Sequence, residues 1–331
     1  MTKILVIRFS SIGDIVLTSP ILRCIKEQME NVELHVLTKK QYAELYATNP
    51  HVDYLHEWGE ENDIVLSDLK AANFSYVIDL HKNLRTSKIK SALRKESFSF
   101  PKLNIQKWLY VNFKWNKMPD VHIVDRYFEA VKPLGIKNDG KGLDFRIKID
   151  FMSFAKRFPA KEKYIAVAIG AQFATKKMPV EQLAEVLRDM SINIVLVGGP
   201  GDRKEGEAIK ALLPKQTINN TCGALSIHES AQVVKDAQVL ITNDTGMMHI
   251  GAAFETPIVS LWGNTVPEFG MYPYRPQAPN SYSIHEVKDL SCRPCSKIGF
   301  AQCPKKHFKC MVDQDVMGIR NQIETFLKEQ T

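Results

Sequence analysis

Three acids in this sequence stand where an apolar strand gives way to a helix, a junction that leaves backbone N–H groups facing whatever binds there. In "ITNDTGMMHIGAAFETPIVSLWG", Ile241–Gly263, Asp244 precedes Thr245 and Gly246. Amides at a helix start attract phosphate, whereas an acid repels it. Asp244 therefore either caps the helix or accepts hydrogen bonds from a ligand whose phosphates the following amides hold. Asp14, in "RFSSIGDIVLTSPIL", follows a small-residue turn of Ser10, Ser11 and Gly13. It is either a helix-start carboxylate stabilised by the dipole or a general base. The turn either accepts a phosphate or lets the helix pack closely. It is not the G-x-G-x-x-G of dinucleotide folds, and no acid is well placed about 20 residues later for a ribose.

The third junction is "GGPGDRKEGEAI", where glycines permit a tight turn. Asp202 or Glu205 there either accepts hydrogen bonds from a sugar hydroxyl or starts the helix. A fourth loop, "AQFATKKMPVEQLAEVL", carries no acid but sets Lys176 and Lys177 before Met178 and Pro179. Proline fits the first turn of a helix, so either lysine could meet a diphosphate, the alternative being a solvated pair.

These loops need a scaffold that brings strand ends together. Short β-branched runs recur, each followed by a helical pattern: Lys3–Phe9, Val32–Thr38 and Tyr76–Leu80, then Tyr164–Gly170, Asn193–Gly199, Gln238–Asn243 and Pro257–Gly263. Near-continuous apolar strands alternating with helices indicate parallel sheets covered on both faces. Both halves thus read as doubly wound α/β domains, whose ligands sit beyond the carboxyl ends of the strands. Two facing sheets would put the loops around one interdomain cleft. Residues 137–163 are charged and weakly periodic, and the boundary is placed near Asp150, giving domains 1–150 and 151–331, with the last helix free to pack back on the first.

Length agrees with two domains, since 331 residues with 44% hydrophobic content exceed one ordinary core. No uncharged apolar run reaches about 18 residues, and Arg8 and Asp14 interrupt the first strand and its helix, so neither a spanning helix nor a cleavable signal is expected. The reading is a cytoplasmic protein. The net charge of +7 is uneven. Between His81 and Lys117 stand ten Lys or Arg against one acid, Glu96, a segment that expects an anionic partner.

Four stretches in their order resemble glycosyltransferase family 9, the ADP-heptose:lipopolysaccharide heptosyltransferases. They are "FSSIGDIVLTSP" (Phe9–Pro20), "ATKKMP" (Ala174–Pro179), "GGPGDRKE" (Gly198–Glu205) and "NDTGMMHIGAAFETPIVSLWGNTVP" (Asn243–Pro267). Together they span almost the whole chain. The resemblance implies the GT-B architecture, two Rossmann-like domains facing an interdomain active site, and an inverting, metal-independent transfer that needs no cofactor.

On this resemblance Asp14 matches the acid that deprotonates the acceptor hydroxyl, and Lys176 the lysine on the donor's phosphates, with Thr175 beside it. Asp244, Thr245, Gly246 and His249 match the motif that binds the diphosphate end of an ADP-sugar, ADP-heptose above all. Asp202 falls where the family has an acid near the ribose, though the alignment can slip to Glu205. Met178 stands where several relatives have Trp. Inverting transfer needs a base on one side of the anomeric carbon and stabilisation of departing ADP on the other.

The acceptor side is assigned to Ser11 and Gly13 and to the loop "DLHKNLRTSK", with His81, Lys82, Asn83 and Arg85. That loop opens the basic segment, which is interleaved with Phe98, Phe100, Trp108, Tyr110, Phe113 and Trp115. Such a composition suits the anionic head of a lipid A and core oligosaccharide acceptor at the cytoplasmic face of the inner membrane, through transient surface contact. It would also suit nucleic acid, but no nucleic-acid motif accompanies it. The alternative is a solvated basic face over core aromatics. A monomer is expected. Cys292, Cys295, Cys303 and Cys310 lie in "CRPCSKIGFAQCPKKHFKC". Zinc, reduced thiols and local disulfides remain open for them, and no metal is assigned. The rival functions are another GT-B enzyme with a different nucleotide sugar and a nucleotide-binding module without catalysis.

Overall fold

The computed structural model describes residues 1–158 and 162–330. It contains two parallel sheets, each covered by helices. In the first, β1 (Thr2–Ile7), β2 (Val32–Lys39), β3 (Tyr54–Trp58), β4 (Tyr76–Asp79) and β5 (Glu96–Ser99) lie in the order β3-β2-β1-β4-β5. In the second, β6 (Tyr164–Ala168), β7 (Asn193–Val197), β8 (Ile218–Asn220), β9 (Leu240–Asn243), β10 (Ile258–Trp262) and β11 (Tyr282–Glu286) lie in the order β11-β10-β9-β6-β7-β8. Every ladder is parallel, and the order reverses beside β1 and beside β6, as in doubly wound sheets.

The strands read from sequence are the interior ones, which helices cover on both faces. β6 and β10 are buried along their whole length. The four that escaped, β3, β5, β8 and β11, are the sheet edges. Half their flank faces solvent, so polar residues such as His56, Glu57, Ser97, Ser99, Asn219 and Asn220 are tolerated and the apolar signal breaks up.

The chain divides into two compact units, Met1–Leu103 with Val121–Arg146, and Asn104–Asp120 with Ile147–Thr331. The first is centred on Leu5, Ile7, Leu37, Val77 and Ile89. The second core runs through Val167, Leu196, Ile241 and Leu261. The second unit begins within a few residues of Asp150 but also takes in the helix Asn104–Phe113. Two contacts explain its membership: the Tyr110 ring meets Phe269 edge-on, centroids 6.0 Å apart, and the Lys114 ammonium donates to the carbonyls of Pro294 (2.8 Å) and Cys292 (3.3 Å). The last helix, Val316–Glu329, buries Ile319, Ile323 and Phe326 in the second unit's own core, and its Arg320 donates to the Glu185 carbonyl. Among the described residues no helix is long and apolar enough to cross a membrane.

Candidate active site

In the first unit, the loop after β1 forms a short helix, Ile12–Val16, with Ser11 at its N-cap. Asp14 is the third helical residue, and its Oδ2 accepts the Ser11 N–H at 3.2 Å and the Ser11 hydroxyl at 2.9 Å. It therefore does serve the helix start. Its other oxygen, Oδ1, lies 2.6 Å from Arg8 Nη2. Arg8 is buried, and its remaining donors go to the Ser10 carbonyl (2.7 Å), the Leu80 carbonyl (2.5 Å) and the Tyr127 hydroxyl (3.0 Å). Burial alone would lower the guanidinium pKa, but the Asp14 carboxylate outweighs it and holds Arg8 above its ordinary value. The sequence reading gave Arg8 no role. Its signal was a cation set between the apolar residues Ile7 and Phe9 in "KILVIRF".

The loop after β4 approaches the same place through Phe9. The His81 ring meets Phe9 edge-on at 5.4 Å, and the Arg85 guanidinium lies over Phe9 at 5.6 Å. Burial, with Arg8 and Lys102 nearby, pushes the His81 imidazole down to about 4, so it is neutral at physiological pH. Lys82 and Asn83 are engaged within the loop. Lys82 Nζ donates to the Phe100 carbonyl, and Asn83 caps the helix Leu84–Leu93 by accepting the Thr86 N–H. Gly13 is buried inside the short helix. Thus Ser11, Asp14, His81 and Arg85 gather around Arg8 and Phe9, while Lys82 and Asn83 shape the backbone.

The second unit assembles its site at the ends of β6, β7, β9 and β10. Lys176, just after β6, reaches the end of β9: its Nζ lies 2.6 Å from Asp244 Oδ2 and 3.0 Å from the Asp244 carbonyl. The Thr265 hydroxyl, after β10, donates to the same Oδ2 at 2.7 Å. Asp244 is not the helix cap. Thr245 holds the N-cap of Gly246–Ala252 in extended conformation, and the Asp244 carboxylate turns instead to Lys176 and Thr265. Arg293, whose side chain is 6% exposed, fixes the Thr265 turn, donating to the carbonyls of Gly263 (2.5 Å) and Thr265 (2.8 Å) while pairing with Glu286 at 2.6 Å. Neither Thr265 nor Arg293 was singled out from sequence.

Lys177 turns the other way. Its Nζ lies 2.5 Å from Asp202 Oδ1 and 2.8 Å from Glu205 Oε2, so both candidate ribose acids are drawn together by one cation. Burial works against that charge, but the two acids prevail and raise the Lys177 pKa. Asp202 Oδ2 also accepts the Gly199 N–H at 2.8 Å. It sits so close to Gly170 that a Cβ there would lie 2.4 Å from Oδ2, which is why glycine ends the "YIAVAIG" run. The Thr175 hydroxyl is used on the chain itself, accepting the Phe300 N–H (2.8 Å) and donating to the Phe300 carbonyl (3.1 Å). His249 is buried in the helix Gly246–Ala252.

All six cysteines are free thiols. Among the described residues no group of three or more His, Cys, Asp or Glu side chains is arranged to hold a metal ion. Burial and the neighbouring Cys292 push the Cys295 thiol up to about 11, and burial pushes Cys310 up to about 12.

The sequence model of glycosyltransferase family 9 (heptosyltransferase) matches residues 65–300. Among curated proteins, the chain is 27% identical over 311 residues to lipooligosaccharide heptosyltransferase 2 of Campylobacter jejuni, covering 91% of this chain and 92% of that one. Among solved structures, a family 9 glycosyltransferase from Veillonella parvula superposes with a TM-score of 0.77 at 21% identity, covering 99% of this chain and 98% of that one. The Escherichia coli heptosyltransferase WaaC, solved with ADP, gives 0.64 at 18% identity with both chains fully covered. These two show the fold, a pair of Rossmann-like domains of GT-B type.

Proposed function

The chain belongs to glycosyltransferase family 9, and from that membership we propose that it transfers a heptose, with inversion, from ADP-heptose to the inner core of a lipopolysaccharide acceptor. The observation that carries this reading is the Lys176 and Asp244 pair, 2.6 Å apart at the ends of adjacent parallel strands. It sets a cation beside the first amides of the next helix, where a diphosphate binds.

In this reading the second unit holds the donor. Lys176 and the amides near Thr245 and Gly246 take the diphosphate, and Asp244 keeps Lys176 in place rather than facing the phosphates. Asp202 or Glu205 accepts from the ribose. The ammonium and amides stabilise the charge that grows on ADP as the bond from the anomeric carbon to its phosphate oxygen breaks, so the reaction uses no metal. The acceptor hydroxyl forms the new bond to the anomeric carbon from the opposite face, and its proton passes to Asp14. His81 and Arg85, with Ser11, contact the acceptor, an anionic lipid A and core oligosaccharide at the cytoplasmic face of the inner membrane. The relatives named for lipooligosaccharide and lipopolysaccharide heptosyl transfer support this choice.

The test is transfer from ADP-heptose, UDP-glucose and other nucleotide sugars to heptose-deficient core lipid, with product anomers assigned by NMR. Transfer from ADP-heptose with inverted configuration is expected. Preference for a UDP-sugar, or retention, would contradict the reading.

A further inference from the structure

The helix Asn104–Phe113 contains no buried residue, although six of its ten residues are hydrophobic. One face is anchored: Tyr110 packs on Phe269, and the Lys107 ammonium lies over the same ring at 5.7 Å. Away from that face, Ile105 (73% exposed) and Trp108 (50%) stand three residues apart, and Phe113 (50%) at the helix end and Trp115 (61%) just beyond it are exposed as well. The three aromatics form one ridge. Trp108 and Phe113 meet edge-on at 5.3 Å, and Phe113 and Trp115 lie 5.4 Å apart. A ridge of large apolar rings left in water marks an interaction surface.

Charge identifies the partner. Lys114 ties the helix to the loop around Cys292 through the carbonyls of Cys292 and Pro294, and the two segments share a pocket that Lys114 and Lys305 line. From Ser291 to Cys310 the chain carries four exposed lysines, Lys297, Lys305, Lys306 and Lys309, besides the Arg293 that pairs with Glu286, and no acid. Ile298 and Phe300 are exposed there as well. Rings with a polar edge among cations match the headgroup layer of an anionic bilayer, where tryptophan settles at the interface and lysine meets lipid phosphate.

We propose that this face of the second unit, the aromatic ridge with the basic loop beside it, docks the protein on an anionic lipid membrane. The inference deepens the acceptor reading by naming the docking element, and its test needs neither donor nor acceptor. The full-length protein is mixed with phosphatidylcholine vesicles, with and without phosphatidylglycerol, and bound protein is measured by sedimentation. Binding to the anionic vesicles, weakened by salt, is expected, with a blue shift of tryptophan emission. The variant Trp108→Ser/Phe113→Ser/Trp115→Ser should bind about tenfold more weakly at unchanged ADP affinity and melting temperature. The pair Lys305→Glu/Lys306→Glu should lose the preference for anionic lipid. Absence of binding by the unaltered protein, unchanged binding by either variant, or equal binding to neutral vesicles overturns the proposal. Displacement from vesicles by a single-stranded oligonucleotide would assign the face to nucleic acid instead. Sugar transfer in the absence of vesicle binding would leave the function standing, and vesicle binding without transfer would leave the docking surface standing.

Discussion

The Arg8 guanidinium holds the Asp14 carboxylate at 2.6 Å while three other acceptors, the carbonyls of Ser10 and Leu80 and the Tyr127 hydroxyl, hold the guanidinium. A base that must meet a hydroxyl in one geometry gains from being fixed by a group that cannot itself move. Replacing Arg8 by Met removes the cation and strands these acceptors. It should destabilise the protein by about 2–4 kcal/mol, less than for a wholly buried pair because Asp14 stays 23% exposed. A carboxylate without its cation is protonated more readily, so the acid limb of the pH–rate profile should move to higher pH. A limb that does not move would separate Arg8 from the function of Asp14.

Lys176→Ala should weaken ADP binding by about 10–100-fold, the loss of one charge-assisted contact to a phosphate. It also leaves the buried Asp244 carboxylate with only Thr265 to face. The double variant Lys176→Ala/Asp244→Ala should therefore lose less than the sum of the single losses, because the two residues act as a pair. Titration calorimetry reads this directly, and strict additivity would mean that Asp244 acts on the ligand independently.

Lys177→Ala is expected to behave differently from its neighbour. Lys177 is engaged with Asp202 and Glu205, so its loss leaves two carboxylates adjacent without a cation. Melting temperature should fall, by about 1–2 kcal/mol of stability, with a smaller effect on ADP affinity than Lys176→Ala produces. The reverse ranking in calorimetry would make Lys177 the phosphate lysine.

Acid should weaken the first unit through its histidines. His81 and His56 are each pushed from an ordinary 6.5 down to about 4, burial being the largest cause for both. The unfolded chain then binds protons that the folded one does not, so their contribution is intact above pH 6.5 and is lost as the pH falls towards 4. Each carries on the order of 1–3 kcal/mol. His81→Gln should flatten the fall in melting temperature between pH 6.5 and 4, and an unchanged slope would show that His81 does not titrate in that window.

The seven strands legible in the sequence are those with a strand on either side, and the four missed are the edges of both sheets. Burial on both faces writes itself as an unbroken apolar run, and an edge does not. The site divides similarly. Asp14, Asp244 and the pair of Lys176 and Lys177 could be placed beyond strand ends because strand ends in a parallel sheet converge, which is a property of local pattern, while the choice of Lys176 came from the family resemblance. What lay beyond reach was pairing at long range. Nothing near Thr175 in sequence says that its hydroxyl is taken by Phe300, and nothing near Arg8 says that Tyr127, 119 residues away, holds the guanidinium that pairs with Asp14. Because the strand and helix adjoin, the local pattern leaves Asp244 either a cap or a ligand contact, and its partner Thr265 stands 21 residues away across a further strand.

The most direct test is the turnover of Asp14→Asn on ADP-heptose and heptose-deficient core lipid, at a temperature where the variant is fully folded. Asparagine keeps an acceptor for the Ser11 N–H but loses both the basicity and the charge facing Arg8, so some thermal stability should go with either role of Asp14. Melting alone thus decides nothing, and the kinetics do. As a general base Asp14 contributes about 10²–10⁴-fold, so kcat should fall by that factor while ADP affinity is unchanged. Turnover within a few-fold of the unaltered enzyme would contradict the account and leave Asp14 as a helix-start carboxylate.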